Sequence, residues 1–345
     1  MTGGAGYIGS HAVRALRDAG HEVVVLDDLS AGHAEAVPED VPLVRASTHD
    51  RAAVLQTLRD HAIDAVMHFA AFLSVADSVR DPIAYYENNV VGSLTLLGAM
   101  VEAQVKTLVF SSTCAVYGVP SSVPILESFP TQPINTYGET KLAVERALEH
   151  VEKAHGLRWI ALRYFNASGA HPDGTIGEAH DPEIHLIPRA IDATRGGPAL
   201  EVFGEDYPTP DGTCIRDYIH VWDLADAHMR ALAGLERGAA TAVYNVATGH
   251  GHSVREVIDT VSRVVGTPVQ WTSSRRRPGD PPALVAGSER LQRDLGWAAR
   301  FPALETIVRH AWQWHHTHPR GYNASVSAPR AGSGSVGRAR GGHTP

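Results

Sequence analysis

The sequence predicts an α/β protein with a Rossmann-like, doubly wound parallel sheet and a smaller C-terminal α/β substrate domain. Three observations carry that expectation. Residues 2–11 read T-G-G-A-G-Y-I-G-S-H, and Gly3, Gly6 and Gly9 are spaced so that the backbone can turn tightly, approach a pyrophosphate and pack the next helix on a sheet. Short apolar runs rich in β-branched residues then alternate with amphipathic stretches. Asp27 ends the first of these runs, about 20 residues past the glycines, where a carboxylate can accept hydrogen bonds from an adenosine ribose. That acid would repel a 2′-phosphate, so the expected dinucleotide is NAD.

Taken in order, a helix should start near Tyr7, its free N–H groups and dipole facing the phosphates. Strands are predicted at 21–27, 41–46, 65–70, 107–112 and 158–166, and helices near 51–62, 82–104 and 137–154. A doubly wound sheet places one more strand before the glycine loop, at its centre, yet only Met1 precedes Thr2. The expectation is therefore a first strand missing from this chain, with the true start upstream and a GTG valine codon read as the initiator methionine. From about 167 the rhythm gives way to proline, glycine and charge. The predicted division is an NAD-binding domain at 1–166 and a substrate domain at 167–322, with part of about 216–250 returning to the first. Residues 323–345 have almost no large apolar groups and are predicted to be disordered. The sequon Asn323-Ala324-Ser325 within them is taken as chance.

The 345 residues suffice for a full core, and 43% hydrophobic with 20% charged residues is ordinary for a globular protein. A net charge of −8 argues against nucleic-acid binding, so an anionic ligand must meet local arginines. Cys114 and Cys214 lie far apart without metal-ligand spacing, and no secretory or membrane-spanning segment is visible, so a reducing cytoplasm is expected. No metal is expected either: His310, His315, His316 and His318 do not form a clean ligand pair with a third partner.

Tyr137-Gly-Glu-Thr-Lys141 puts a phenol and an ammonium on one helix face. The ammonium should lower the phenol's pKa toward the range of a general base. With ten tyrosines and three lysines in the chain, chance predicts only about 0.1 such pairs. The preceding strand ends in Ser111-Ser112-Thr113, which offers a hydroxyl to the tyrosine.

These residues resemble the extended short-chain dehydrogenase/reductase superfamily, and further motifs resemble its nucleotide-sugar epimerases. They are H-F-A-A at 68–71, Y-Y-E-N-N-V at 85–90, S-S-T-C-A-V-Y-G at 111–118, L-R-Y-F-N at 162–166, D-Y-P-T-P-D-G-T-C-I-R-D-Y-I-H-V at 206–221 and R-R-P-G-D at 276–280. The resemblance implies a UDP-sugar epimerised at C4 through a 4-keto intermediate, with hydride held transiently by NAD. It implies Tyr137 as base, Thr113 as its assistant and Lys141 on the nicotinamide ribose. Gly3, Gly6, Tyr7, Ile8, Gly9, Asp27, Ser47, Phe69, Ala70, Asn88 and Phe165 would complete the cofactor site. Asn166, the His185 main chain, Arg216, Arg277 and Asp280 would bind the UDP-sugar, and a homodimer is expected.

Three positions depart from the family pattern. Leu73 replaces a lysine near the NAD phosphates, and Ser47 replaces an aspartate that receives the adenine amino group. Leu284 stands at the gate beside the sugar 2-position, intermediate in size between residues that exclude and admit N-acetylated sugars, so weak turnover of UDP-N-acetylglucosamine is expected. The alternatives are a 4,6-dehydratase, an epimerase of uronic acids or pentoses, and a decayed, non-catalytic NAD-binding protein. Cys114-Ala115 after Thr113 removes the acid–base pair a dehydratase needs.

Overall fold

The structure is a computed structural model that describes residues 1–277 and 280–322; the tail and its sequon lie outside the described residues. Its strands are β1 (Val25–Asp27), β2 (Leu43–Arg45), β3 (Val66–His68), β4 (Thr107–Ser111), β5 (Arg158–Tyr164), β6 (Asn166–Ser168), β7 (Leu200–Phe203), β8 (Ile215–His220), β9 (Ala242–Val246), β10 (Gly251–Ser253), β11 (Trp271–Ser274) and β12 (Ala283–Leu284). The helices are α1 (Tyr7–Asp18), α2 (Arg51–Asp60), α3 (Val75–Arg80), α4 (Pro82–Tyr85), α5 (Gly92–Ala103), α6 (Thr136–His155), α7 (Leu186–Thr194), α8 (Val221–Glu236), α9 (Val254–Val265), α10 (Glu289–Leu295) and α11 (Leu304–Thr317).

The first sheet is parallel. Strands β3, β4, β5 and β9 follow one another, and β1 pairs with β2. Thr2 bridges the two groups, pairing in parallel with Leu26 on one side and His68 on the other. Met1 and Thr2 therefore occupy the centre of the sheet, at the C-terminal end of the slot predicted for a strand. Thr2 N–H donates to Met67 O at 3.0 Å, and Leu26 N–H to Met1 O at 2.8 Å. Beneath them runs an apolar groove lined by Met1, Val24, Leu26, Val54, Leu58 and Leu96. The Met1 amino group is enclosed and donates to Val24 O at 2.6 Å. The predicted strand 21–27 shortens to Val25–Asp27.

Helices cover both faces of this sheet. One core packs Leu16, Val109, Ile160, Leu162 and Leu224 together, and the other joins Val54, Leu96, Leu108, Phe110 and Leu148. The predicted helix 82–104 is broken, because a π-turn spans Tyr86–Val91 between α4 and α5. Such a turn widens the backbone and is often found at functional sites. Here it directs Asn89 inward: its Nδ2 donates to Phe72 O and Thr140 Oγ1, and its Oδ1 accepts from Phe72 N–H.

A second, mixed sheet has β8 between β10 and β12, with β6 also pairing β8, while β7 and β11 form a separate parallel pair. Its core is Ile187, Ile191, Val202, Val257, Val261, Ile307 and Val308, drawn from α7, β7, α9 and α11. A capping box between Ser253 and Glu256 starts α9. Only Phe165 separates β5 in the first sheet from β6 in the second.

Candidate active site

The glycine loop is fixed by contacts that a side chain would obstruct. A Cβ on Gly9 would lie 2.0 Å from Gly3 O, and one on Gly3, whose φ is +70°, 2.5 Å from Ala70 N. Gly6 caps α1 with no side-chain hydrogen bond, and the first turn has no acid, so the helix N-terminus remains available to an anion. Asp27 is buried at the end of β1, where Oδ2 accepts from Ala5 N–H at 2.9 Å and Oδ1 from Leu29 N–H at 2.9 Å. Burial raises its carboxyl pKa while these two amides oppose the rise. Phe69 and Ala70 leave β3 directly beside Gly3, and Phe69 N–H donates to Thr2 O at 2.9 Å. Asn88 lies in the π-turn with Nδ2 donating to Asn89 Oδ1 at 3.0 Å. Ser47 follows β2, with Oγ 3.1 Å from His49 Nδ1. The cradle, the uncapped helix and the carboxylate fit a dinucleotide.

The catalytic candidates sit at the C-terminal edge of β4. Asn135 caps α6 by accepting from Gly138 N–H at 2.9 Å, which places Tyr137 and Lys141 on the first two turns. Thr113 is buried, its Oγ1 accepts from Ala115 N–H at 3.1 Å, and its hydroxyl acts to lower the pKa of the Tyr137 phenol. Lys141 is buried too, with Nζ donating to Ser111 O at 2.9 Å. Burial pulls the lysine down to about 7, against the pull of Glu145.

The tyrosine differs from expectation. Burial pushes its hydroxyl well above the ordinary 10.0, Tyr164 adds to the rise, and Thr113 opposes it. The Lys141 ammonium hydrogen-bonds a strand carbonyl instead of the phenol, so the protein by itself keeps Tyr137 protonated.

Sequence reasoning missed the support beneath this pair. Glu145, one further turn along α6, accepts from Ser112 Oγ at 2.5 Å and from Arg163 Nε at 3.0 Å, and all three residues are buried. The Arg163 guanidinium lies over the Tyr117 ring, 4.9 Å from its centroid. The signal was the spacing of Tyr137, Lys141 and Glu145, four residues apart each time.

On the second sheet, Arg216 and Asp280 form an ion pair, and Arg216 Nη1 donates to Ile215 O at 2.7 Å. Leu284 pairs in register with Arg216. Phe165 is buried with Tyr117 and Leu142, and Asn166 opens β6. His185 precedes α7, with its N–H donating to Glu183 Oε1 at 2.8 Å. Arg277 is exposed and stacks on Phe203 at 3.9 Å from the ring centroid. Pro278 and Gly279 of the same motif lie outside the described residues.

A dinucleotide cradle beside a Thr-Tyr-Lys set on a parallel sheet defines a nicotinamide-dependent enzyme of the short-chain type. The chain belongs to the NAD dependent epimerase/dehydratase family, whose model matches residues 1–247. It is 50% identical over 324 residues to a UDP-glucose 4-epimerase of Halalkalibacterium halodurans, covering 94% of this chain and 97% of that protein. A UDP-glucose 4-epimerase of Azospirillum brasilense is 51% identical over 339 residues, covering 98% of this chain and 96% of that protein. The crystal structure of UDP-glucose 4-epimerase from Brucella ovis in complex with NAD is similar with a TM-score of 0.88 and 48% identity, covering 90% of this chain and 96% of that one. Among the described residues no helix is long and apolar enough to cross a membrane.

Proposed function

We propose that the chain interconverts UDP-glucose and UDP-galactose at C4, with NAD as a tightly held cofactor, as a step of galactose metabolism. The observation that supports this most is the Thr113–Tyr137–Lys141 set, with Thr113 and Lys141 buried, beside the Gly3–Ala70 cradle, in a chain about half identical to enzymes of that name. Bound NAD+ would accept the sugar's C4 hydride and give it back to the other face, and its positive charge would favour the Tyr137 phenolate. Tyr137 takes the C4 hydroxyl proton through Thr113 and returns it once the 4-keto sugar has presented its other face. Lys141 holds the nicotinamide ribose, and Asp27 the adenosine ribose. Tyr7, Ile8 and the three glycines cradle the pyrophosphate, with Ser47, Phe69, Ala70, Asn88 and Phe165 around the remainder. Arg216, Arg277, Asn166 and the His185 main chain take the diphosphate and sugar, and Asp280 the uridine ribose. A planar guanidinium suits a phosphate in an otherwise acidic protein.

The cofactor domain is taken as 1–166 and the substrate domain as 167–322, acting in the cytoplasm. A homodimer is supported by apolar side chains left exposed on α3, α4, the π-turn and α5: Val79 is 64% and Ile83 70% exposed, with Tyr86, Val91 and Leu94 beside them. Purified protein should release NAD on denaturation and convert UDP-galactose to UDP-glucose without added cofactor. Tyr137→Phe should lower turnover by roughly 10²–10⁴-fold while NAD content stays the same. Protein that holds NAD but leaves the sugar unchanged would refute the reading in favour of a non-catalytic binder. Leu284, half-buried next to Arg216, also supports weak turnover of UDP-N-acetylglucosamine, which its complete absence beside normal UDP-galactose turnover would exclude.

A further inference from the structure

The loop between β6 and α7 contains a group of side chains that the epimerase chemistry does not use. Glu178, His180, Glu183 and His185 each turn one ligand atom inward, and the four atoms lie within 4.8 Å of one another. Both imidazoles present Nδ1. The His180 nitrogen is 3.1 Å from Glu178 Oε1 and 3.7 Å from Glu183 Oε2, and that of His185 is 2.5 Å from Glu178 Oε1 and 3.4 Å from Glu183 Oε1. A tetrahedral zinc ion with bonds of about 2.0–2.2 Å sets its ligand atoms roughly 3.4 Å apart, inside this range.

Two further observations point to a ligand. His185 Nδ1 is closed off from solvent, and although Glu178 lies beside it, the direction of approach makes no hydrogen bond. His315 on α11, whose pKa the charges of Glu178 and Glu183 act to raise, has Nε2 enclosed and unpartnered. Buried nitrogens that make no hydrogen bond are uncommon in folded proteins. The Glu178 side chain is only 3% exposed, whereas those of Glu183 and His185 are 22% and 35% exposed and leave an entry path.

We propose that Glu178, His180, Glu183 and His185 form a structural site for a divalent transition-metal ion, with zinc as the best match to two imidazoles and two carboxylates. The loop is placed for such a tie to matter. His33 Nε2 lies 2.7 Å from Ala179 O, Tyr322 OH donates to Gly177 O at 3.2 Å, and the Tyr7 and His180 rings stand 6.1 Å apart, edge to face. The ion fastens this loop against the glycine loop and the last described turn. It has no part in hydride or proton transfer.

Without an ion, the four groups form a self-neutralising network. Burial lowers both imidazoles, but the carboxylates of Glu178 and Glu183 outweigh it and raise His180 to about 9 and His185 to about 10. Tyr7 and Tyr322 border the network as neutral groups, and burial raises both of their pKa values.

The test uses untagged, full-length protein with its NAD, stripped of metal by a chelator and titrated with zinc chloride. One ion per chain should bind at micromolar or lower Kd, and at a hundredfold excess over Kd the Tm should rise by about 5 °C. Cobalt(II) in place of zinc should give the intense visible bands of a four-coordinate ion. Glu183→Gln and His180→Asn, each confirmed as folded by its NAD content, should weaken binding at least a hundredfold. No binding at micromolar zinc, or undiminished binding in both variants, would overturn the proposal; the latter would place the ion elsewhere among the chain's 20 histidines.

Discussion

Lys141 is held where a lysine is unfavourable, and Lys141→Met should reveal this. Its ammonium is buried on α6, and burial lowers it from 10.5 to about 7. The difference of about 3.5 units, at 1.36 kcal/mol each, amounts to roughly 5 kcal/mol of destabilisation at pH 7. Because the folded value lies below the unfolded one, the unfolded chain binds the extra proton between pH 7 and 10.5, so stability rises with pH across that window. Methionine removes this cost but leaves Ser111 O without its donor, a loss of about 1–3 kcal/mol. NAD-free Lys141→Met should therefore be more stable than the parent by roughly 2–4 kcal/mol at pH 7. That advantage should shrink by about 1.4 kcal/mol per pH unit up to pH 10. Epimerase turnover should fall at least about a hundredfold at every pH. Urea unfolding of NAD-stripped parent and variant at pH 7, 8 and 9 measures the first two effects, and a coupled UDP-galactose assay the third. A variant less stable at pH 7, or a stability difference that does not change with pH, would refute the reasoning.

Three further outcomes are expected. Gly9→Ala, whose new methyl would lie 2.0 Å from Gly3 O, should purify without NAD and melt at a lower temperature. Glu145→Ala leaves the Arg163 guanidinium buried without its carboxylate and should lose about 3–5 kcal/mol in urea unfolding, with a Glu145→Leu/Arg163→Met pair recovering much of it. In a polypeptide whose first residue is Met1, burial lowers the amino group from 8.0 to about 5, so stability should rise by about 4 kcal/mol from pH 5 to pH 8. N-terminal acetylation should flatten that slope; identical pH profiles for the two forms would contradict it.

The glycine loop, Asp27 and the Tyr137–Lys141 pair were legible because each rests on local geometry: a turn, a strand end, one helix face. The parallel sheet was legible through the apolar runs, although the length of β1 was not. The break at Tyr86–Val91 was hidden because Y-Y-E-N-N-V preserves helical periodicity while its backbone widens. The protonated state of Tyr137 depends on burial and on where the Lys141 ammonium points, neither of which spacing reveals. The Arg216–Asp280 pair joins residues 64 positions apart, and only the fold sets their separation. Glu178, His180, Glu183 and His185 are close in sequence but follow no helical repeat, so a loop conformation was needed to gather them.

The passage from β5 to β6 leaves no room for a hinge. Phe165 alone lies between the two strands, it is 6% exposed, and β6 is pinned along β8, which runs directly into α8 and back to the first sheet at β9. Rigid-body opening needs a few residues free to change φ and ψ. None are free at this crossing, so it supplies no pivot between the two sheets. Any motion of one sheet against the other would have to be taken up at another crossing, such as residues 247–250 between β9 and β10.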